Sequence, residues 1–209
     1  MEIGDNMPSV DIKVDDNELK RIYKALKGHK EEAKKAVVSA LNRTVQSANT
    51  ELQKNITANY NIKKKDLNGG NAYKGESSNN IIKVKKASTA NLSASINVRG
   101  SSLTLYRFVR GNKQPRNKKG KGYVSVQVKK GATKKMSRVN FIQYGKGGAL
   151  QIFQRHSRSR DISRALKTLS VAQMASNKDV MKNTQEKANE MLRKRVDHEI
   201  EHRLSKLRS

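Results

Sequence analysis

The sequence predicts an α+β protein in which an antiparallel, strongly basic β-sheet region is flanked by an N-terminal helix pair and a long C-terminal helix. Apolar residues recur with a helical period near both ends of the chain. Between them lie short β-rich runs separated by Gly, Asn and Lys clusters, and this middle region is free of acidic residues.

Near the start, Val10-Asp11-Ile12-Lys13-Val14 alternates apolar and polar residues as a small strand does. Asp15 and Glu18 then stand three apart like a capping box, in which the first side chain accepts from an orphaned helical N–H. Leu19, Ile22, Tyr23 and Leu26 fall at i, i+3, i+4 and i+7, and Gly28 follows where a left-handed residue ends a helix. A second helix is predicted from Lys30 to Ala58. Ala33, Val37, Ala40, Leu41, Val45, Ala48, Leu52 and Ile56 trace one stripe without Gly or Pro, and the small residues in it permit close helix packing.

Asn61 to Leu67 reads as a short helical turn, and Asn68-Gly-Gly-Asn and Gly75-Glu-Ser-Ser-Asn-Asn as loop. Strands are predicted at Ile81 to Val84, Leu92 to Val98, Leu103 to Val109, Tyr123 to Val128, Phe141 to Tyr144 and Leu150 to Phe153, forming an antiparallel sheet. Gly111 to Gly122 is a long polar hairpin connection or flap, with three glycines, one proline and no aliphatic residue. Beyond Arg160, Ile162, Ala165, Leu166 and Leu169 mark a short helix, and Ser176 or Asn177 caps a long one to about Leu207. Its stripe of Val180, Thr184, Ala188, Met191, Val196, Ile200, Leu204 and Leu207 implies a rod of about 45 Å at 1.5 Å per residue. No internal repeat is present.

The 209 residues fit a single domain. Its regions are an arm at 1–17, a helical region at 18–67, the basic β-region at 68–160 and a C-terminal helical region at 161–209. With 34% apolar residues, no Trp and a mean hydropathy of −0.84, a globule of this length is short of side chains to bury. Neighbouring subunits are expected to complete part of its core. The absence of cysteine excludes disulfides and thiolate metal sites. The acidic N-terminus has no apolar signal region and no apolar run is long enough to span a bilayer, so a soluble, unsecreted protein without a membrane partner is expected.

Forty-five Lys and Arg against eighteen Asp and Glu give a net charge of +27, a self-repulsion that calls for a polyanion or acidic partner surfaces. From Ser77 to Arg160 there is no Asp or Glu, against twenty Lys and Arg. A solvated face normally mixes both signs, so this run points to a surface facing nucleic acid or acidic protein. The densest stretches are Lys113, Arg116, Lys118, Lys119 and Lys121 in the flap, and Lys129, Lys130, Lys134, Lys135 and Arg138 around the next turn. These ten residues form the candidate contact surface. With three Phe, six Tyr and no helix-turn-helix, zinc-finger or RNP-like signature, contacts to backbone phosphates are expected in place of base readout.

Three catalytic motifs fail on geometry. His198-Glu199-Ile200-Glu201-His202 matches the H-E-x-x-H pattern of zinc hydrolases. Yet Ile200 belongs to the apolar stripe, so residues two before and two after it face solvent, and no third ligand follows in the last seven residues. Gly145-Lys146-Gly147-Gly148 lacks the spacing and context of a P-loop and reads as a tight turn. His29 and His156 have no Ser or Asp partner at triad spacing. No catalytic residue, metal ligand or cofactor is assigned.

The order of helix pair, basic β-region and long C-terminal helix resembles the phage minor tail protein Z family, also described as tail completion proteins. The resemblance is carried by Ala40-Leu41-Asn42-Arg43-Thr44, by Tyr60-Asn61-Ile62-Lys63-Lys64-Lys65-Asp66-Leu67 and by Leu103-Thr-Leu-Tyr-Arg-Phe. Phe141-Ile142, Gly145-Lys-Gly-Gly and Ile152-Phe153-Gln-Arg155 extend it, so that it spans roughly Leu19 to Leu207. Where the family often shows R-x-P-I and then G-P-S-V, this chain has Arg160-Asp161-Ile162 and Thr168-Leu169-Ser170-Val171, which puts the turn before the last helix in question. The resemblance implies a non-enzymatic virion protein that completes the tail at its head-proximal end, after assembly in the host cytoplasm. It also implies a homo-oligomeric ring, sixfold to match tail symmetry, contacting neighbouring tail and head-tail connector proteins; the basic β-region adds the expectation that such a subunit meets phage DNA in the lumen through phosphate contacts. The alternative reading is a non-specific nucleic-acid-binding protein of bacterial host type.

Overall fold

A computed structural model describes residues 8–67, 81–111, 113–115, 123–145, 147–155 and 162–208. The loop at 68–80 and most of the flap at 111–122 lie outside the described residues. In chain order the elements are β1 (Ser9–Lys13), α1 (Asp16–Ala25), α2 (Lys30–Asn59), β2 (Ile81–Lys85), β3 (Ser93–Arg99), β4 (Ser102–Thr104), β5 (Val109–Arg110) and β6 (Ser125–Val126). There follow β7 (Lys134–Lys135), β8 (Asn140–Tyr144), β9 (Leu150–Arg155), β10 (Ile162–Ala165), β11 (Lys167–Ser170), α3 (Val171–Ala175) and α4 (Lys178–Arg208). The chain divides into two compact units, one of Met1–Asn55, Ile82–Val98 and Ser176–Ser209, the other of Ile56–Ile81 and Arg99–Ala175.

The first unit is helical with a small sheet. Asp15 caps α1, its carboxylate accepting from the Glu18 N–H at 2.6 Å. At the other end Lys27 takes the left-handed position directly after the cap Leu26, at φ +49°, and Gly28, one residue beyond it, takes φ +81° with its N–H on the Tyr23 carbonyl at 3.1 Å. Every residue of the predicted α2 stripe is buried, none more than 1% exposed. In the sheet, ordered β1-β3-β2, β1 lies antiparallel to β3 with Val10 opposite Ile96 and Ile12 opposite Ala94, all four buried.

Side chains tie α2 to α4 at successive levels. Arg203 Nη1 meets Glu32 Oε2 at 2.6 Å, Ser39 Oγ donates to Glu199 Oε1 at 2.8 Å, Arg195 Nη2 donates to Ser47 Oγ at 2.7 Å and Asn55 Nδ2 donates to Thr184 Oγ1 at 3.0 Å. The partners rise along α2 as they fall along α4, so the two helices run antiparallel. The predicted α4 stripe is followed through Val180, Thr184, Ala188, Val196 and Ile200, but Leu192 is buried where Met191 was expected and Leu207 is 45% exposed. Asn177 provides the cap, its Oδ1 accepting from the Asp179 N–H at 3.0 Å.

The second unit is built from three small sheets, with orders β10-β9-β8, β11-β4 and β5-β6-β7. Its core joins Tyr106, Val109, Val124, Val126, Ile142 and Ile152. The single sheet expected from the strand runs is thus divided, and β3 pairs with β1 and β2 instead of with the later strands. The strand expected at Leu103 to Val109 is broken by a 3-10 turn over Leu105–Phe108, which buries Tyr106 and Phe108 together. Gly145, Gly147 and Gly148 do form the tight turn between β8 and β9, with the Gly145 N–H bonded to the Ala149 carbonyl at 2.8 Å and Gly148 at φ +69°.

The short helix predicted over Ile162 to Leu169 is instead the strand pair β10 and β11. The Leu166 N–H donates to the Ile152 carbonyl at 2.8 Å and the Leu166 carbonyl accepts from the Leu105 N–H at 3.0 Å, so its backbone is committed to two distant segments. The helix, α3, starts only after Ser170. Ser170 Oγ accepts from the Gln173 N–H at 3.1 Å and Gln173 Oε1 accepts from the Ser170 N–H at 2.9 Å, a reciprocal capping box.

Candidate functional site

The second unit holds the charge. Its two segments contain 23 Lys and Arg against three Asp and Glu. Among the described residues of this unit Asp66 is the one carboxylate, and it is paired: Arg107 Nη1 lies 3.0 Å from Asp66 Oδ2, with both side chains 11% exposed. Among the described residues of this unit no other carboxylate is left to neutralise the remaining cations.

The chain after α2 is fixed by backbone pairing. The Lys130 N–H donates to the Asn59 carbonyl and the Asn61 N–H to the Val128 carbonyl, each at 2.9 Å, with Tyr60 opposite Lys129. The Asn61 side chain extends this tie, donating to the Gln127 carbonyl at 3.0 Å and accepting from Arg110 Nη2 at 2.7 Å. Arg110 Nε is bonded in turn to Gln127 Oε1 at 2.8 Å. Ile62 and Leu67 are buried on either side of a 3-10 turn at Lys64–Asp66, which leaves Lys63, Lys64 and Lys65 exposed. Apolar anchors at both ends hold a run of lysines outward.

These segments border a cleft of about 490 Å³. Its basic lining is Lys63, Lys64, Arg107, Arg110, Lys113 and Lys130, and among the described residues no Asp or Glu lines it. Tyr106 donates its hydroxyl to the Lys113 carbonyl at 2.9 Å, fixing the chain at that rim. Tyr60 and Phe108 also line the cleft but are each 2% exposed, so their ring faces are not open for stacking. The arrangement offers flexible positive charge over a firm backbone, which suits an anionic chain more than an apolar ligand.

Of the ten residues singled out in the sequence, Lys113 and Lys130 line this cleft. Lys129 is exposed beside it in the pairing with Tyr60, and Lys134 and Lys135 are exposed on β7. Arg138 stacks over the Tyr123 ring at 5.6 Å and donates from Nε to its hydroxyl at 2.8 Å. Arg116, Lys118, Lys119 and Lys121 lie outside the described residues. Lys63, Lys64, Arg107 and Arg110 were not singled out. The three successive lysines at 63–65 were the visible signal for the first two.

The other motifs have structural roles. In Ala40-Leu41-Asn42-Arg43-Thr44 the first two and the last side chains are buried, Asn42 holds the backbone of Ala87, and Arg43 Nη1 lies 3.2 Å from Glu199 Oε1. His198 and His202 are exposed as their offset from Ile200 predicts. Glu199, by contrast, is 4% exposed and bonded to Ser39, not one more polar-face residue of α4. Among the described residues no three His, Cys, Asp or Glu side chains group as a metal site, and no helix is long and apolar enough to cross a membrane.

No curated protein and no solved structure matches the chain. A sequence profile described as prophage minor tail protein Z (GPZ) matches residues 18–208, which takes in the helices of the first unit and the basic second unit alike, and the chain belongs to that family.

Proposed function

We propose that this tail protein is a tail-completion or neck subunit that assembles into a ring, sixfold like the tail, at the head-proximal end of the virion tail. Its role is structural, without a catalytic step. The carrying observation is the family match over residues 18–208. The first unit, with its long antiparallel α2 and α4, supplies a stiff scaffold. The second unit, with 23 basic residues against three acidic ones, supplies a surface for acidic neighbours or for DNA passing through the lumen.

Imaging of an assembled particle tests position, symmetry and neighbours together. Density for this chain in a ring next to the head-tail connector is the expected result. Light scattering coupled to size exclusion tests the assembly step, and a protein that stays monomeric at all concentrations and is missing from the particle overturns the proposal.

A further inference from the structure

We infer that the cleft bordered by Lys63, Lys64, Arg110, Lys113 and Lys130 is a seat for the phosphate backbone of nucleic acid. The inference rests on the reading of the second unit as a surface that faces polyanions, and narrows that surface to one place.

The choice of phosphate over carboxylate follows from which cations are free. Arginine recognises a carboxylate through its planar fork of N–H donors. Both arginines of the cleft already have side-chain partners, Arg107 in Asp66, and Arg110 in Gln127 and Asn61. Lys63, Lys64, Lys113 and Lys130 are exposed and make no ion pair with any described residue. Their ammonium groups act as compact point charges on flexible stems, which follow a run of phosphates without a fixed angular demand. An acidic peptide is held by free arginine clusters or, when it adds as a strand, by open backbone donors. Here the backbone at 59–61 is already paired with 128–130, and the rings of Tyr60 and Phe108 are buried. The same burial removes base stacking, so the seat tracks nucleic acid without reading its sequence.

The test uses the full chain and a fluorescein-labelled DNA duplex of arbitrary sequence, titrated at several salt concentrations. Each lysine that neutralises a phosphate adds about 0.9 to the slope of log K against log salt. The triple variant K63A/K64A/K130A is expected to lose binding and to flatten that slope by about 0.9 for each lysine in contact. The double variant K134A/K135A, in the same unit but outside the lining of the cleft, is expected to keep the wild-type slope. Circular dichroism melting verifies that both fold.

An unchanged slope in the triple variant overturns the inference. Equal loss per lysine in both variants also overturns it, in favour of a diffuse basic surface, and leaves the proposed tail role intact. Displacement of the duplex by poly-glutamate at matched charge and equal affinity reassigns the cleft to acidic polypeptide and overturns the nucleic-acid reading. Assembly measured in parallel by light scattering reports on the ring separately, so failure of the cleft and failure of the tail role are distinguishable.

Discussion

Asn42 treats Ala87 as a paired strand residue would: its Nδ2 donates to the Ala87 carbonyl at 3.1 Å and its Oδ1 accepts from the Ala87 N–H at 2.8 Å. One amide on α2 thus satisfies both backbone groups of a buried residue in the link from β2 to β3. Asn42→Ala leaves two buried polar groups unpaired, and a loss of about 2–6 kcal/mol is expected at roughly 1–3 kcal/mol for each unsatisfied group. Asn42→Asp keeps the acceptor but loses the donor and places a charge against a carbonyl, so it is expected to be destabilised as well. Urea unfolding of the three proteins checks this, and an unchanged midpoint for Asn42→Ala refutes it.

The Arg107–Asp66 pair stands almost dry, and such a pair is costly to break from one side. Arg107→Ala strands a carboxylate that has no other cation in this contact, for an expected loss of about 3 kcal/mol. The double variant Arg107→Met, Asp66→Leu removes both charges and is expected to recover most of that loss. A double variant as unstable as Arg107→Ala alone would show that the pair's geometry, not its charge balance, holds the 3-10 turn.

The capping box at Ser170 and Gln173 sets where β11 stops and α3 begins. Ser170→Ala removes the acceptor for the Gln173 N–H and is expected to cost about 1 kcal/mol, the usual value for a lost helix cap. Gln173→Ala removes the reciprocal bond to the Ser170 N–H, and the two losses are expected to be less than additive because they share one motif. Thermal melts of the two single variants and the double variant test the coupling.

That junction also marks where the sequence stops being legible. Over the 30-residue α2 the stripe from Ala33 to Ile56 repeats without a breaker, and every member is buried, because a long periodic face leaves local propensity and packing in agreement. Ile162, Ala165, Leu166 and Leu169 have the same spacing over eight residues, and there distant partners decide: β9 and β4 claim the backbone as strands. Neither contact leaves a trace in the local pattern, and the Ser-x-x-Gln signal that ends the strands lies just beyond the apolar spacing. The candidate cleft has the same character. Its charge excess was legible from the acid-free run, but Lys63 and Lys64 come to Lys113 and Lys130 only through the pairing of 59–61 with 128–130.

Acid titration isolates one surface cluster on α4. Lys187 and Lys194 each hold the Glu190 carboxylate at 2.8 Å, and their hydrogen bonds lower its pKa from the ordinary 4.5 to about 2. A carboxyl depressed on folding contributes stability that is present above its unfolded pKa and lost as pH falls through the folded one. The difference in melting temperature between the wild type and Glu190→Gln is therefore expected to shrink as pH falls from 4.5 toward 2. Because the cluster is exposed, the difference is expected to be small and to fall further in salt. A difference that grows with acidification contradicts this assignment.

Glu199 separates a structural reading of H-E-x-x-H from a catalytic one, because the two demand opposite faces of α4. A zinc hydrolase needs both histidines turned toward a shared ion, with the glutamate beside them as base. Here His198 and His202 are exposed, while Glu199 is buried against α2, accepting from Ser39 and paired with Arg43. The paired substitution His198→Ala, His202→Ala is therefore expected to change stability by no more than about 0.5 kcal/mol, as for ordinary surface positions. Glu199→Ala leaves the Ser39 hydroxyl and Arg43 without their acceptor and opens space between two helices, for an expected loss of about 2 kcal/mol. Glu199→Gln keeps an oxygen for Ser39 and is expected to fall between the two. Chemical unfolding with and without added zinc discriminates: a zinc-dependent gain in stability that the histidine substitutions abolish would return the motif to metal binding, whereas a loss confined to Glu199 assigns it to the α2–α4 seam.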